Sequence, residues 1–308
     1  MGIKDQLLLI QRLSGLTQEQ LARRLGVTFA AFNRWVNGRA NPRPKSRARI
    51  DRFYKELTGQ KEIPKDVFRA KKLAVLNRQK TQPAVLKTIL SNPDIKDQFL
   101  LSLTYNSNRI EGSSLSEPDT AAILFHNAAL PNKSLTEQLE AKNHQTALNY
   151  LLDYLQKGKK LDESFILKLH SILMNSIRDD AGFYRRHGVR IVGTYVPTAN
   201  WLKVPDLMAG LIKKINQPTK DVIVKAAEIH SQFEKIHPFA DGNGRVGRLL
   251  MHAMLLEKNF PPAVIRQQHR KFYMSYLNKA QMKDDLSGLI DFIYDAVLEG
   301  YKILERKF

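Results

Sequence analysis

Residues 237–248 read His-Pro-Phe-Ala-Asp-Gly-Asn-Gly-Arg-Val-Gly-Arg. They bring together a proton acceptor (His237), a hard-metal ligand (Asp241), a Gly-Asn-Gly turn and two guanidinium groups, Arg245 and Arg248. An imidazole titrates near neutrality and serves as a general base. A carboxylate beside polyphosphate oxygens suits magnesium, and arginines suit the phosphates themselves. Upstream, residues 226–236 carry apolar side chains at helical spacing; downstream, Leu249-Leu250-Met251-His252-Ala253-Met254-Leu255-Leu256 is a strong helix former. The spacing therefore predicts a loop between two buried helices, with unpaired N–H groups of the second aimed at an anion. Arg245 and Arg248, three apart, share one face of that helix.

Two other readings of the loop fail on residue type. In an EF-hand register the first and twelfth ligand positions fall on Phe239 and Leu250, which cannot hold calcium. The Gly-Lys-Ser/Thr of a Walker phosphate loop is absent. The string instead fits, at every specified position, the signature His-x-Phe-x-Asp/Glu-Gly-Asn-Gly-Arg-x-x-Arg, and so resembles the Fic family. That resemblance implies a mostly helical enzyme transferring AMP from ATP to a protein hydroxyl.

Bulk composition sets the frame. The chain has 308 residues, 43% hydrophobic and 26% charged, enough for one large domain and a small one. No apolar run approaches a membrane span, and Leu7-Leu8-Leu9-Ile10 is too short for a secretory core, so no membrane partner is expected. There is no cysteine, which excludes disulfide and thiolate chemistry and suits the cytoplasm. Net charge is +19, and residues 1–80 hold 19 Lys+Arg against 6 Asp+Glu, more than half of that excess. A local basic field of this kind points to a polyanionic partner on the N-terminal segment.

Residues 1–57 resolve into short helices. Thr17-Gln18-Glu19-Gln20 is a capping box opening a helix that stops at Gly26, and Thr28 caps another through Val36. This pair, with Leu16–Thr28 and Trp35-Val36-Asn37-Gly38-Arg39-Ala40-Asn41-Pro42, resembles the Cro/C1 (Xre) class of helix-turn-helix repressor domains. By that resemblance Phe29, Ala30, Asn33 and Arg34 face the major groove of DNA, while Gln18 and Arg39 meet phosphates. Residues 58–85 carry prolines and a dense basic run without a long apolar period, and are read as a basic linker or a short docking helix.

From Pro93 a helix is expected to end at Gly112. Its tail, Ser107-Asn108-Arg109-Ile110-Glu111-Gly112, resembles the inhibitory helix motif of Fic proteins, Ser/Thr-x-x-x-Glu-Gly/Asn. A Glu111 carboxylate paired with Arg248 would stand where the γ-phosphate of ATP binds. Amphipathic helices follow over 120–127, 134–156 and 162–177, with Phe125, Leu139, Leu148, Leu151, Leu155, Phe165, Leu169 and Leu173 as core; His126, His144 and His170 lack metal-ligand spacing. Residues 188–197 are β-branched and bounded by Gly and Pro, which predicts a strand. With Ala181–Arg185 they resemble the Fic flap, a hairpin that could hold a target segment by strand addition.

The resemblance covers roughly residues 90–300 and implies the following roles. His237 is the catalytic base. Asp241 holds Mg2+, and Asp241, Gly242, Asn243, Gly244, Arg245, Val246, Gly247 and Arg248 bind ATP. Val192, Gly193, Thr194 and Tyr195 of the flap contact nucleotide or target, and Tyr273 and Gln281 border the adenine. Ser107, Glu111 and Gly112 form the inhibitory element. The expected architecture is mainly α: a helix-turn-helix domain over 1–57, a linker over 58–85, and a Fic-type bundle with a small β-hairpin over 86–308. Expected partners are ATP, a protein with an acceptor hydroxyl (this chain included), DNA through residues 1–57, and a second copy of the chain. Three alternatives stay open: removal of AMP by the same site, a DNA-binding regulator whose Fic domain senses nucleotide or acts as an interaction module, and transfer of another nucleotide or phosphoryl group.

Overall fold

A computed structural model describes residues 2–58, 63–191 and 196–306. Among them the chain forms fifteen α-helices and two short 3-10 turns, with no strand. The N-terminal unit comprises α1 (Ile3–Ser14), α2 (Gln18–Leu25), α3 (Phe29–Val36) and α4 (Pro44–Leu57). Next come α5 (Lys65–Thr81), α6 (Val85–Ser91), α7 (Pro93–Glu111), α8 (Glu117–His126), α9 (Leu135–Gln156) and α10 (Glu163–Leu173). The chain closes with α11 (Val204–Ile215), α12 (Val222–Ile236), α13 (Asn243–Glu257), α14 (Arg270–Lys283) and α15 (Ser287–Leu304).

Local chemistry starts and stops these helices. The Thr17 capping box is formed in full, and Thr28 accepts from the Ala31 N–H. Asn92 caps α7, Pro93 occupies its first position, and Gly112 at φ 110 ends it. In the N-terminal unit Leu7, Ile10, Leu21, Phe32 and Ile50 are fully buried. Phe29, Ala30 and Arg34 are exposed along α3, and Asn33 donates to Gln18 Oε1 at 3.2 Å, tying α3 to α2. The helix pair that the repressor-like motif led us to expect is formed, but Asn33, read as facing the DNA groove, is half-buried against Gln18.

Of the two readings of residues 58–85, basic linker or docking helix, the structure has the docked helix over α5. In α5, Lys71 pairs with Asp291 at 2.5 Å and Asp295 at 2.8 Å on α15, and Lys72 reaches Asp221 at 2.6 Å. Phe68 meets the Tyr294 ring edge-on at 5.4 Å, and Val75 is fully buried. The apolar stripe is narrow and the ion pairs are with residues far along the chain, so no local period announces it. Phe125 and Leu139, expected in the core, are only half-buried; the other six core residues are buried.

The helices that matter for the site pack as expected, α12 against α13, with α7, α9 and α10 around them. Their shared core is tightly filled: Phe233, Phe239, Val246 and Leu249 have no exposed surface.

Candidate active site

The loop after α12 turns at His237, whose backbone sits in the left-handed region (φ 52, ψ 63). A non-glycine residue holds that conformation only when its surroundings over-determine it. Here the buried Arg185 supplies the constraint. Its Nε donates to the His237 carbonyl at 2.7 Å and its Nη2 to that of Ile236 at 3.3 Å, while its own N–H bonds the Pro238 carbonyl at 3.0 Å. The His237 Nδ1 lies 3.2 Å from the Glu234 carbonyl, which can only accept, so Nδ1 carries the proton and Nε2 is left as the base. Burial lowers the His237 pKa below the ordinary imidazole value, opposed by that carbonyl contact. The Glu234 carboxyl, 4.0 Å from Nδ1, is pushed up to about 8 by burial, with the Glu111 carboxylate adding to the effect. At neutral pH the two side chains are thus both uncharged.

Phe239 anchors the loop. Its ring stacks on His170 at 3.8 Å and meets Phe233 at 6.3 Å and Tyr184 at 5.7 Å. His170, buried and lowered to about 4 by desolvation, also lies 3.2 Å from the Asp241 carbonyl and accepts from the Gly182 N–H. Phe239→Ala should cost about 3–5 kcal/mol of stability, the usual range for an emptied aromatic core site, measured by denaturant unfolding. A loss below about 1 kcal/mol would show that the ring is not the anchor.

The turn itself needs its glycines. Gly242 has φ 75, and a Cβ there would lie 2.4 Å from Met174 Cε. Gly242 caps α13 without a side-chain bond, which leaves first-turn N–H groups open to an anion. The Asn243 amide is used differently: it exchanges two 2.9 Å bonds with the Phe239 backbone, closing the loop. Asp241, with a side chain 55% exposed, accepts from the Gly242 N–H at 2.6 Å.

Arg248 is 3% exposed and faces the inhibitory motif. Its Nε donates to Ser107 Oγ at 3.0 Å, and its Nη2 to the Ser107 carbonyl at 3.2 Å and to Glu111 Oε1 at 2.7 Å. The expected contact between Glu111 and Arg248 is therefore formed. Arg245 is equally buried, but its Nη1 donates to Glu140 of α9 at 2.6 Å. Instead of lying open beside Arg248 for phosphates, it is engaged from a helix more than a hundred residues away. Val246 and Gly247 are buried behind the loop: a Cβ at Gly247 would lie 2.7 Å from Glu234 Oε1.

Three expectations at the rim change. The candidate flap residues Val192, Gly193, Thr194 and Tyr195 lie outside the described residues. Of the hairpin that was to carry them, the described limbs 188–191 and 196–200 form no ladder. Side chains hold their carbonyls instead: Thr198 Oγ1 donates to Val189, and Arg185 to His187 and Ala199. Tyr273 and Gln281, expected at the adenine, are turned inward. Tyr273 is 1% exposed, its hydroxyl 2.6 Å from His230 Nε2 and its ring between His230 and Phe292; Gln281 is buried, with its amide 3.4 Å from the Ser231 carbonyl. Neither presents a face to solvent.

Residues 160–255 match the Fic/DOC family model. That stretch has the Fic fold. A second match, to a helix-turn-helix family, covers residues 9–55. Among curated relatives, the protein adenylyltransferase Fic of Nematostella vectensis is 35% identical over 202 residues, 62% of this chain and 45% of its own length. The protein of the same name from Aedes aegypti is 31% identical over 196 residues, 62% of this chain and 39% of its own. The chain thus spans less than half the length of these relatives. Two solved structures share the fold. A Fic domain containing signaling protein from Bacteroides thetaiotaomicron superposes with TM-score 0.65 at 24% identity, over 76% of this chain and 98% of that one. Fic-1 of C. elegans gives 0.67 at 22%, over 93% and 84%.

Four residues of the candidate site were not singled out in the sequence: Glu140, His170, Arg185 and Glu234. His170 had been noticed only for its lack of ligand spacing. The other three are charged residues on or beside ordinary amphipathic elements, and only the packing of α9, α10 and α12 around the loop brings them in.

Proposed function

We propose that this protein is an adenylyltransferase that moves AMP from ATP to a Tyr, Ser or Thr hydroxyl of a protein, and that Glu111 holds it back at rest. The observation that carries this reading is the convergence on one loop of a neutral His237 with Nε2 free, the uncapped N-terminus of α13, and Arg248 held by Glu111. The relatives named protein adenylyltransferase support it.

In the reaction, the acceptor hydroxyl gives its proton to His237 Nε2 as its oxygen bonds the α-phosphorus. The bond from that phosphorus to the bridging oxygen breaks, and pyrophosphate leaves with the electron pair. First-turn N–H groups of α13 face the phosphate oxygens, a preorganised anion site. Once Glu111 moves away, Arg248 is free to hold the terminal phosphate, still positioned by Ser107. Asp241 fits a magnesium site of the kind completed by substrate: it is an exposed carboxylate beside the uncapped N-terminus of α13, and magnesium is commonly taken by one or two carboxylates with phosphates and water. The ion would supply charge neutralisation on the phosphates.

Incubating the protein and a lysate with ATP and magnesium, followed by mass spectrometry, tests the reading. AMP adducts on hydroxyl side chains are the expected result, and more of them with Glu111→Gly. Loss of AMP from a modified target, with none gained, would reverse the direction of the reaction.

A second role on DNA is favoured by the exposed face of α3, where Phe29 is 48% exposed beside Arg34 in a strongly basic N-terminal unit. Gel shift on promoter and random duplexes at two salt concentrations checks it. We expect Arg34→Ala to weaken promoter binding by about 1–3 kcal/mol and to reduce discrimination between the duplexes. Equal weakening on both would reduce the contact to charge attraction.

A further inference from the structure

The two loop arginines are held by carboxylates from different helices, and the second case is not part of the resting brake. Arg245 Nη1 is 2.6 Å from Glu140, but its Nη2 is 3.7 Å from Asp241, one helical turn before it. An acid at i and an arginine at i+4 attract each other, so Arg245 left to itself would close on Asp241. The distances decide between the two acids. At 2.6 Å Glu140 makes a charge-assisted hydrogen bond, whereas at 3.7 Å Asp241 keeps an ion pair with the guanidinium but no hydrogen bond. Glu140 is also the more enclosed carboxylate, with a side chain 19% exposed against 55% for Asp241, and charge attraction is screened less there.

We propose that Glu140 is a positioning residue that draws the Arg245 guanidinium off Asp241, and so leaves the Asp241 carboxylate to a divalent cation carried by the bound nucleotide. Asp241 Oδ1, the atom facing Arg245, is already fixed by the Gly242 N–H at 2.6 Å. Arg245 and the cation therefore compete for the charge of a carboxylate whose orientation is set. Without Glu140 a buried guanidinium would lose its partner, and pairing with Asp241 would be its nearest remedy. The cation would then meet a carboxylate already neutralised. This inference rests on the nucleotide-and-metal reading of the site.

The test uses the full chain with a non-hydrolysable ATP analogue and Mn2+ as probe, following free Mn2+ by electron paramagnetic resonance. Four proteins are compared: wild type, Glu140→Gln, Arg245→Met, and the two changes together. Glu140→Gln is expected to weaken Mn2+ binding about tenfold, a coupling of ordinary size for interacting charges. Analogue binding without metal should stay at the wild-type level. The double variant should recover wild-type Mn2+ affinity, because the competing guanidinium is gone; a merely structural Glu140 would instead weaken metal-free analogue binding along with Mn2+ binding in the single variant. Unchanged Mn2+ affinity in Glu140→Gln, or a double variant as weak as the single, overturns the proposal. If Glu140→Gln shows no cooperative melt, Glu140→Asp takes its place, since it keeps a charge for the buried Arg245 but one methylene further off: weaker Mn2+ binding with metal-free analogue binding unchanged supports the proposal, and unchanged Mn2+ binding sinks it. A wild-type protein that takes up analogue but no Mn2+ fails earlier, and removes the metal reading along with the inference.

Discussion

Replacing His237 with alanine should lower AMP transfer by about 10²–10⁴-fold, the contribution expected of a positioned general base. Nothing in the geometry gives His237 a second role in holding nucleotide. The phosphate-facing groups are the N–H groups of α13 and Arg248, and Nδ1 faces back into α12. Analogue affinity should therefore survive. Alanine at φ 52 is strained by about 1–3 kcal/mol, so a melting curve must accompany the assay. The pH profile adds an independent check. Burial lowers the His237 pKa, so the base stays unprotonated to lower pH than a solvated imidazole would. The acid limb of the transfer rate should thus fall below the ordinary histidine value of about 6.5. Radiolabelled transfer in a Glu111→Gly background measures both. Transfer that persists at the same rate in His237→Ala would remove His237 from the chemistry, and an acid limb above that value would contradict its buried environment.

What the sequence made legible here was local. A loop motif of fixed spacing, a capping box and a helix-terminal Glu-Gly are each decided within one short stretch of chain, and the loop between α12 and α13, the start of α2 and the end of α7 stand where those patterns put them. The pairing of Glu111 with Arg248 joins two such motifs and was reachable because each is recognisable alone. The misses share the opposite property. Arg245 read as a phosphate ligand because nothing near it in sequence hints at Glu140. Tyr273 read as a nucleotide contact because an aromatic at a helix start does not reveal which way it packs; its hydroxyl found a buried histidine instead. The β-branched run at 188–191 has strand propensity, but strand formation needs a ladder partner; among the described residues none pairs with it, and the Val189 carbonyl accepts from Thr198 Oγ1 instead. In α5 the decisive contacts are ion pairs with α15, more than two hundred residues away.

Glu111→Gly should raise automodification about 10–100-fold, the factor corresponding to one charge-assisted hydrogen bond of about 1.5–3 kcal/mol. Three bonds hold Arg248, and only one of them comes from Glu111. The two from Ser107 remain after substitution, so the guanidinium stays where a phosphate can meet it instead of collapsing elsewhere. The vacated place is the open side of the site, since the Glu111 side chain is 39% exposed while that of Arg248 is 3% exposed. Steric relief works in the same direction, because Glu111 Oε1 crowds Gly244 so closely that a Cβ there would overlap it. The helix itself should survive. Glycine at its last residue costs at most about 1 kcal/mol, and α7 is still tied down by Arg270 on the Ile110 carbonyl and by the Gln267 N–H on Asn106 Oδ1. A small fall in melting temperature with a large rise in transfer is therefore the signature of a released brake. Ser107→Ala in the same background should lose part of the gain, because it removes one bond that keeps Arg248 aimed. Unchanged transfer in Glu111→Gly, with nucleotide bound, would mean that the Glu111 contact is structural and the site is restrained by something else.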